Sequence, residues 1–121
     1  MSVPAGVQRD FDLARLTTVR TGGRADFYAR PTSNEAVVEL LAWASSESLP
    51  VGVIGSGSNL LIADKGFRGL VIKLDGHLTE LHFDDAGVLS GGGARLPSLA
   101  AKTAEHGLAG LEFGVNIPGT V

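Results

Sequence analysis

A chain of 121 residues, 44% hydrophobic and 19% charged, holds enough apolar material for one modest domain and too little charge for a disordered tail. Its formal net charge of −3 and the lack of any Lys/Arg run exclude the footprint of a nucleic-acid binder, which relies on neutralising phosphates. Cysteine is absent, which excludes disulfides and thiolate chemistry. No segment nears the ~18 apolar residues of a membrane span or opens with a secretory signal, so a cytoplasmic protein with no membrane partner is expected.

Residues 1–16 show no hydrophobic period and read as a lead-in arm, with the folded domain expected over residues 17–121. Ala25, Phe27 and Ala29 alternate with Asp26, Tyr28 and Arg30, the period-2 pattern of a half-buried strand. Thr32-Ser33-Asn34-Glu35 after Pro31 fits a capping box, in which the Thr32 hydroxyl and the Glu35 carboxylate satisfy free amides of a first helical turn. Val37, Leu40, Leu41 and Ala44 then predict one apolar stripe on a helix that runs to about Ser48, with Trp43 at its edge.

Residues 51–54 read as a short buried strand that runs into Gly55-Ser56-Gly57-Ser58-Asn59 and out through a second strand at Leu60-Leu61-Ile62. After a turn over 64–69, residues 70–74 are rich in β-branched and aliphatic side chains. Residues 78–83 and 88–90 predict a hairpin across Asp84-Asp85-Ala86-Gly87. A second helix starts near Leu96 with Pro97 in its first turn, buries Leu96, Leu99, Ala100 and Thr103, and ends at a left-handed Gly107 followed by Leu108. Residues 109–121 are glycine-rich and irregular, and no repeat is visible.

The glycines cluster at 22–23, 55–57, 91–93 and 107–119, as tight turns or ligand-hugging backbone require. In Gly55-Ser56-Gly57-Ser58-Asn59, convergent N–H groups and serine hydroxyls can cradle a pyrophosphate without a basic side chain; the competing reading is a plain turn between strands. A Walker loop is excluded because the segment contains no lysine. A Rossmann fingerprint is excluded because Leu60 stands at the third glycine position and a strand-like run follows in place of a helix.

Four blocks together carry a resemblance. Thr18-Val19-Arg20-Thr21-Gly22-Gly23-Arg24-Ala25, Gly55-Ser56-Gly57-Ser58-Asn59-Leu60-Leu61, Asp64-Lys65-Gly66-Phe67-Arg68-Gly69-Leu70-Val71-Ile72, and Gly107-Leu108-Ala109-Gly110-Leu111-Glu112-Phe113 with Ile117-Pro118-Gly119-Thr120-Val121 resemble the UDP-N-acetylenolpyruvoylglucosamine reductase (MurB) family in order and spacing. The resemblance covers residues 16–121. It implies an α+β FAD-binding domain of the vanillyl-alcohol-oxidase type, with the first subdomain and the start of the second. It also implies that Gly55, Ser56, Gly57, Ser58, Asn59 and Leu60 hold the FAD pyrophosphate and that Ile117, Pro118, Gly119 and Thr120 pass close to the flavin. Gly91, Gly92 and Gly93 add a further close backbone approach. FAD is expected to be non-covalent, since there is no cysteine and no histidine lies in the matched glycine blocks.

Enzymes of that family use NADPH to reduce FAD and pass hydride to the enolpyruvyl group of a UDP-sugar, giving UDP-N-acetylmuramic acid for the cell wall and so for cell shape and division. Their catalytic serine, arginine and glutamate follow the Ile-Pro-Gly block, so they are expected beyond Val121. The chain is then expected to be a truncated, catalytically inactive flavin-binding portion whose exposed apolar surface favours self-association. Two alternatives stand beside this: a stand-alone non-catalytic module that binds a nucleotide or a partner, and another FAD oxidoreductase of the same fold. Asn116 replaces the family's usual glycine and is expected to keep a left-handed turn.

His77, His82 and His106 lack metal-ligand spacing, so no metal site is expected. Asp84-Asp85 reads as hairpin turn chemistry. Arg20 and Arg24 flank Gly22-Gly23 as surface residues able to meet an anion, and Glu112 is expected to bond loop amides.

Overall fold

In the computed structural model, which describes residues 2–121, two parallel neighbours enclose a strand that ends in four buried residues. The four strands β1 (Gln8–Asp12), β2 (Arg24–Ala29), β3 (Val51–Val53) and β4 (Phe67–Ile72) lie in the order β1-β2-β4-β3. β1 runs antiparallel to β2, and β2, β4 and β3 are parallel. The unpatterned start of the chain therefore supplies an edge strand; Met1 lies outside the described residues. β1 has no hydrophobic period because it carries Gln8, Arg9 and Asp10, and Phe11 is its one buried side chain.

β2 is covered on both faces, so Tyr28 is buried along with Ala25, Phe27 and Ala29. A register shift against β4 between Ala25 and Phe27 breaks the expected alternation and turns Tyr28 to the same side as Ala25. On that side Phe11 stacks on Tyr28 at 4.0 Å, with Leu13, Ile54 and Val71 around them and Leu16, Leu60, Ile62 and Phe67 at the rim.

The other side carries α1 (Asn34–Ser46), whose Leu40 and Ala44 pack on Phe27, Ala29, Leu70 and Ile72. Leu70 and Ile72 are fully buried, each worth roughly 1.5–3 kcal/mol relative to exposure. The stripe is rotated from the expected one. Trp43 joins it by meeting Phe27 edge-on at 5.1 Å and donating its indole N–H to the Ser2 carbonyl at 2.9 Å, while Leu41 is exposed. The cap is Ser33 and not Thr32: the Ser33 hydroxyl accepts from the Ala36 amide at 3.2 Å. With Ala36 in the third position there is no reciprocal carboxylate, so no capping box forms.

Residues 60–62 form no strand. They lie against the Gly22-Gly23 turn, where the Gly23 N–H donates to Ala63 at 3.0 Å, and their backbone is diverted from any sheet ladder.

The second unit begins with a 3-10 turn at Gly76–Thr79 and the expected hairpin, β5 (Leu81–Phe83) and β6 (Val88–Ser90). Asp84 Oδ1 accepts from the Ala86 and Gly87 amides at 2.8 and 2.9 Å, so this carboxylate builds the turn. α2 (Leu96–Glu105) buries Leu99, Ala100 and Thr103 and ends as expected. Gly107 is left-handed, its N–H bonds Ala104, and the Leu108 N–H bonds Thr103. A 3-10 turn at Glu112–Asn116 packs back on α2, with Gly114 against Leu96 and Ala100. Glu112 accepts from the Gly110 amide at 3.0 Å as expected, whereas Asn116 is not left-handed because it closes the 3-10 turn.

α1 ends in the same bonding pattern as α2, with Leu49 N–H on Ala44 and Ser48 N–H on Ser45, but the left-handed position is Ser48 at φ 54°. Glycine avoids the Cβ clash at such a position, so Ser48→Gly is expected to stabilise the chain by roughly 0.5–1 kcal/mol. Chemical denaturation of the two variants checks this through the midpoint at constant slope.

Candidate functional site

β3 and β4 end side by side, Val53 opposite Ile72, and the Ile54 N–H still bonds the Ile72 carbonyl at 2.9 Å. Both chains then leave the sheet and open a crevice at the carboxyl ends of parallel strands, the position where open sheets bind ligands. One limb, a cleft of about 510 Å3, has residues 53–56 and 73–75 on one wall and Thr79, Gly92, Gly93, Arg95, Thr120 and Val121 from the second unit on the other. An adjoining limb of about 220 Å3 is lined by residues 53–60 and 118–120. The limbs share residues 53–56 and Thr120, and together they fall in the size range of cofactor sites.

Within the loop, none of the backbone N–H groups of Gly55, Ser56, Gly57, Ser58 and Asn59 finds an acceptor among the described residues, and a turn at Ser58-Asn59 leads into Leu60. Five consecutive amides are thus free to bind an external acceptor, while no buried side-chain nitrogen or oxygen among the described residues lacks a partner. The hydroxyls of Ser56 and Ser58 meet at 3.0 Å across the loop.

Two contacts hold this loop open. Gly57 is left-handed at φ 72°, and a Cβ there would fall on the Leu16 carbonyl; its own carbonyl accepts the Thr18 N–H at 3.2 Å. The turn behind it is fixed by buried Thr17, whose Oγ1 accepts the Arg20 N–H at 2.9 Å. On the opposite side the Thr120 side chain touches Gly55 closely enough to leave no space for a Cβ. Thr120 is in turn carried by the second unit: it bridges Arg95, with Leu96 N–H on Gly119 at 2.9 Å and Val121 N–H on Ala94 at 2.8 Å.

The structure therefore brings Gly55, Ser56, Gly57, Ser58, Asn59 and Leu60 together with Pro118, Gly119 and Thr120, while Ile117 is exposed outside both limbs. Gly92 and Gly93 line the larger limb; Gly91 packs on Leu78 instead. Lys73, Asp75, Thr79 and Arg95 line it too, and no local pattern marked them, since their nearness to the loop arises from pairing across units. Arg24 does not reach the site; it is tied to Asp10 at 3.0 Å. No group of three metal-ligating side chains occurs among the described residues.

Asp75 is the cleft's carboxylate. The Gly76 amide and then the Arg30 guanidinium, 2.7 Å away, hold its carboxyl below the ordinary value, so it is ionised across the neutral range.

A crevice at the ends of parallel strands, floored by free amides and closed by a strap from a second unit, defines a nucleotide-cofactor-binding domain of α+β type. Residues 25–121 match the family described as FAD binding domain. This chain belongs to that family. It is 44% identical over 118 residues to UDP-N-acetylenolpyruvoylglucosamine reductase 2 of Symbiobacterium thermophilum, with 98% of this chain and 38% of that protein covered. It is 48% identical to the UDP-N-acetylenolpyruvoylglucosamine reductase of Synechococcus sp. strain WH7803, with 95% and 37% covered. The crystal structure of UDP-N-acetylenolpyruvylglucosamine reductase (MurB) from Thermus caldophilus superimposes with a TM-score of 0.72 at 34% identity, over 95% of this chain and 39% of that one. The chain thus spans well under half the length of these relatives.

Gly57→Ala combines a left-handed backbone with a clash against backbone, so a destabilisation of roughly 2–3 kcal/mol is expected in denaturant unfolding. Because the Asp75 carboxyl is depressed in the folded state, its contribution is fully present above the unfolded value near 3.8 and is lost as pH falls through the folded one. Asp75→Asn is therefore expected to shrink the drop in melting temperature between pH 7 and pH 3.

Proposed function

We propose that this chain is the FAD-binding portion of an NADPH-dependent reductase that converts UDP-N-acetylenolpyruvoylglucosamine to UDP-N-acetylmuramic acid in cytoplasmic peptidoglycan synthesis. The carrying observation is the run of five free amides from Gly55 to Asn59 at the carboxyl ends of parallel strands. It occurs in a chain of the FAD binding domain family that is 44% and 48% identical to proteins named as this reductase.

In this assignment Gly55, Ser56, Gly57, Ser58, Asn59 and Leu60 hold the diphosphate, and Pro118, Gly119 and Thr120 run beside the flavin, with Ile117 outside the cleft. Their fit rests on the donor set: neutral amides and two serine hydroxyls match the many acceptor oxygens of a diphosphate and need no proton transfer. Thr120 fixes Gly55 in place, so the loop requires little ordering when the ligand arrives. Attachment is non-covalent, in keeping with a chain that has no cysteine and no histidine in these segments. When bound, FAD supplies the hydride chemistry of such a reductase; NADPH is its reductant and a UDP-sugar its substrate.

Titration with FAD tests this. Quenched flavin fluorescence and a raised melting temperature are expected, with stabilisation of about 2.7 kcal/mol at a hundredfold excess over Kd. Unquenched flavin and unchanged melting at saturating FAD would overturn the assignment.

A further inference from the structure

We infer that Arg95 is a diphosphate-pairing residue, which reaches from the second unit across the cleft to neutralise the charge that the loop amides hold from the other side. This rests on the FAD site proposed above and adds a residue that the glycine loop itself lacks.

Elimination isolates the residue. Among the described residues Arg24, Arg30 and Arg68 are paired with Asp10, Asp75 and Asp26. Arg9 and Arg15 lie over the rings of Phe27 and Phe11. Arg20 and Arg95 have neither kind of partner, and of these two Arg95 lines the cleft.

Its direction follows from the bridge to Thr120. The bonds Leu96 N–H to Gly119 and Val121 N–H to Ala94 frame Arg95 and Thr120 as the narrow, non-hydrogen-bonded pair of an antiparallel ladder. Side chains of such a pair stand close together on one face. The Thr120 side chain lies against Gly55, so Arg95 faces the loop as well. Lys73 adds positive charge on the opposite wall, and the single carboxylate there, Asp75, is already paired with Arg30.

The position is also a poor one for helix stability. Arg95 is the N-cap of α2, makes no capping bond and has no acidic residue in the first turn to offset it. A cation there repels the positive end of the helix dipole, and an anion in the cleft relieves both. A guanidinium bonds phosphate in bidentate fashion, which a flexible surface lysine does less well.

The test titrates the purified full chain with FAD and with riboflavin, which shares the isoalloxazine ring and lacks phosphate, at several salt concentrations. Arg95→Gln is expected to bind FAD about tenfold more weakly, to leave riboflavin affinity unchanged, and to reduce the salt dependence of FAD binding. Arg95→Lys is expected to recover part of the loss. Equal FAD affinity and salt dependence in the wild type and Arg95→Gln overturns the role of Arg95 and leaves FAD binding standing. A proportional loss of FAD and riboflavin overturns it too, because that marks a structural role. Failure of the wild type to bind FAD overturns the FAD site and this inference together.

Discussion

Backbone lying directly on backbone is the constraint from which the rest of this structure follows. At Gly23 a Cβ would strike the Asp64 carbonyl, and at Gly57 it would strike that of Leu16. These approaches let the lead-in segment, the turn at Gly22-Gly23 and the loop after β3 stack into one block beside the sheet. Side chains of any size would hold them apart, and interiors packed at this density do not absorb such a change by small adjustments. The loop's shape is therefore set from behind by glycine contacts, which leaves its front face of amides free.

The same arrangement explains why separate sequence blocks occur together. The Thr17 to Gly23 turn supports the Gly57 end of the loop, residues 62–66 support that turn, and Thr120 closes the Gly55 end from the second unit. None of the blocks makes a site alone. The second unit has little independent core, with a two-stranded hairpin, α2 and a 3-10 turn, and two-stranded hairpins are marginal by themselves. The strap that carries Thr120 onto the loop is held to this unit by two bonds, between Gly119 and Val121 and the start of α2.

Charge is distributed to match. The loop offers neutral donors and the facing walls bring Lys73 and Arg95, while Asp75 is occupied by Arg30. A site of this kind attracts an anion through fixed dipoles and a few cations, consistent with a chain whose net charge is negative.

Much of the local structure was legible in the sequence, because it depends on neighbours a few residues away. The existence of β2, the Asp84 hairpin turn, the Gly107 helix end and the glycine loop were determined by such short-range chemistry, whereas the burial of Tyr28 came from the register shift against β4. Tertiary structure alone decided the rest. β1 is a strand only because β2 offers it an edge, and residues 60–62 are not one because the chain there packs against the Gly22-Gly23 turn, which bonds the next carbonyl, Ala63. Trp43 rather than Leu41 faces the sheet because Phe27 and the Ser2 carbonyl await it. Arg95 reaches the cleft because Thr120, twenty-five residues on, bridges it. Bonding across such separations leaves no period or motif in the chain, so the glycine loop could be read from the sequence and the wall opposite it could not.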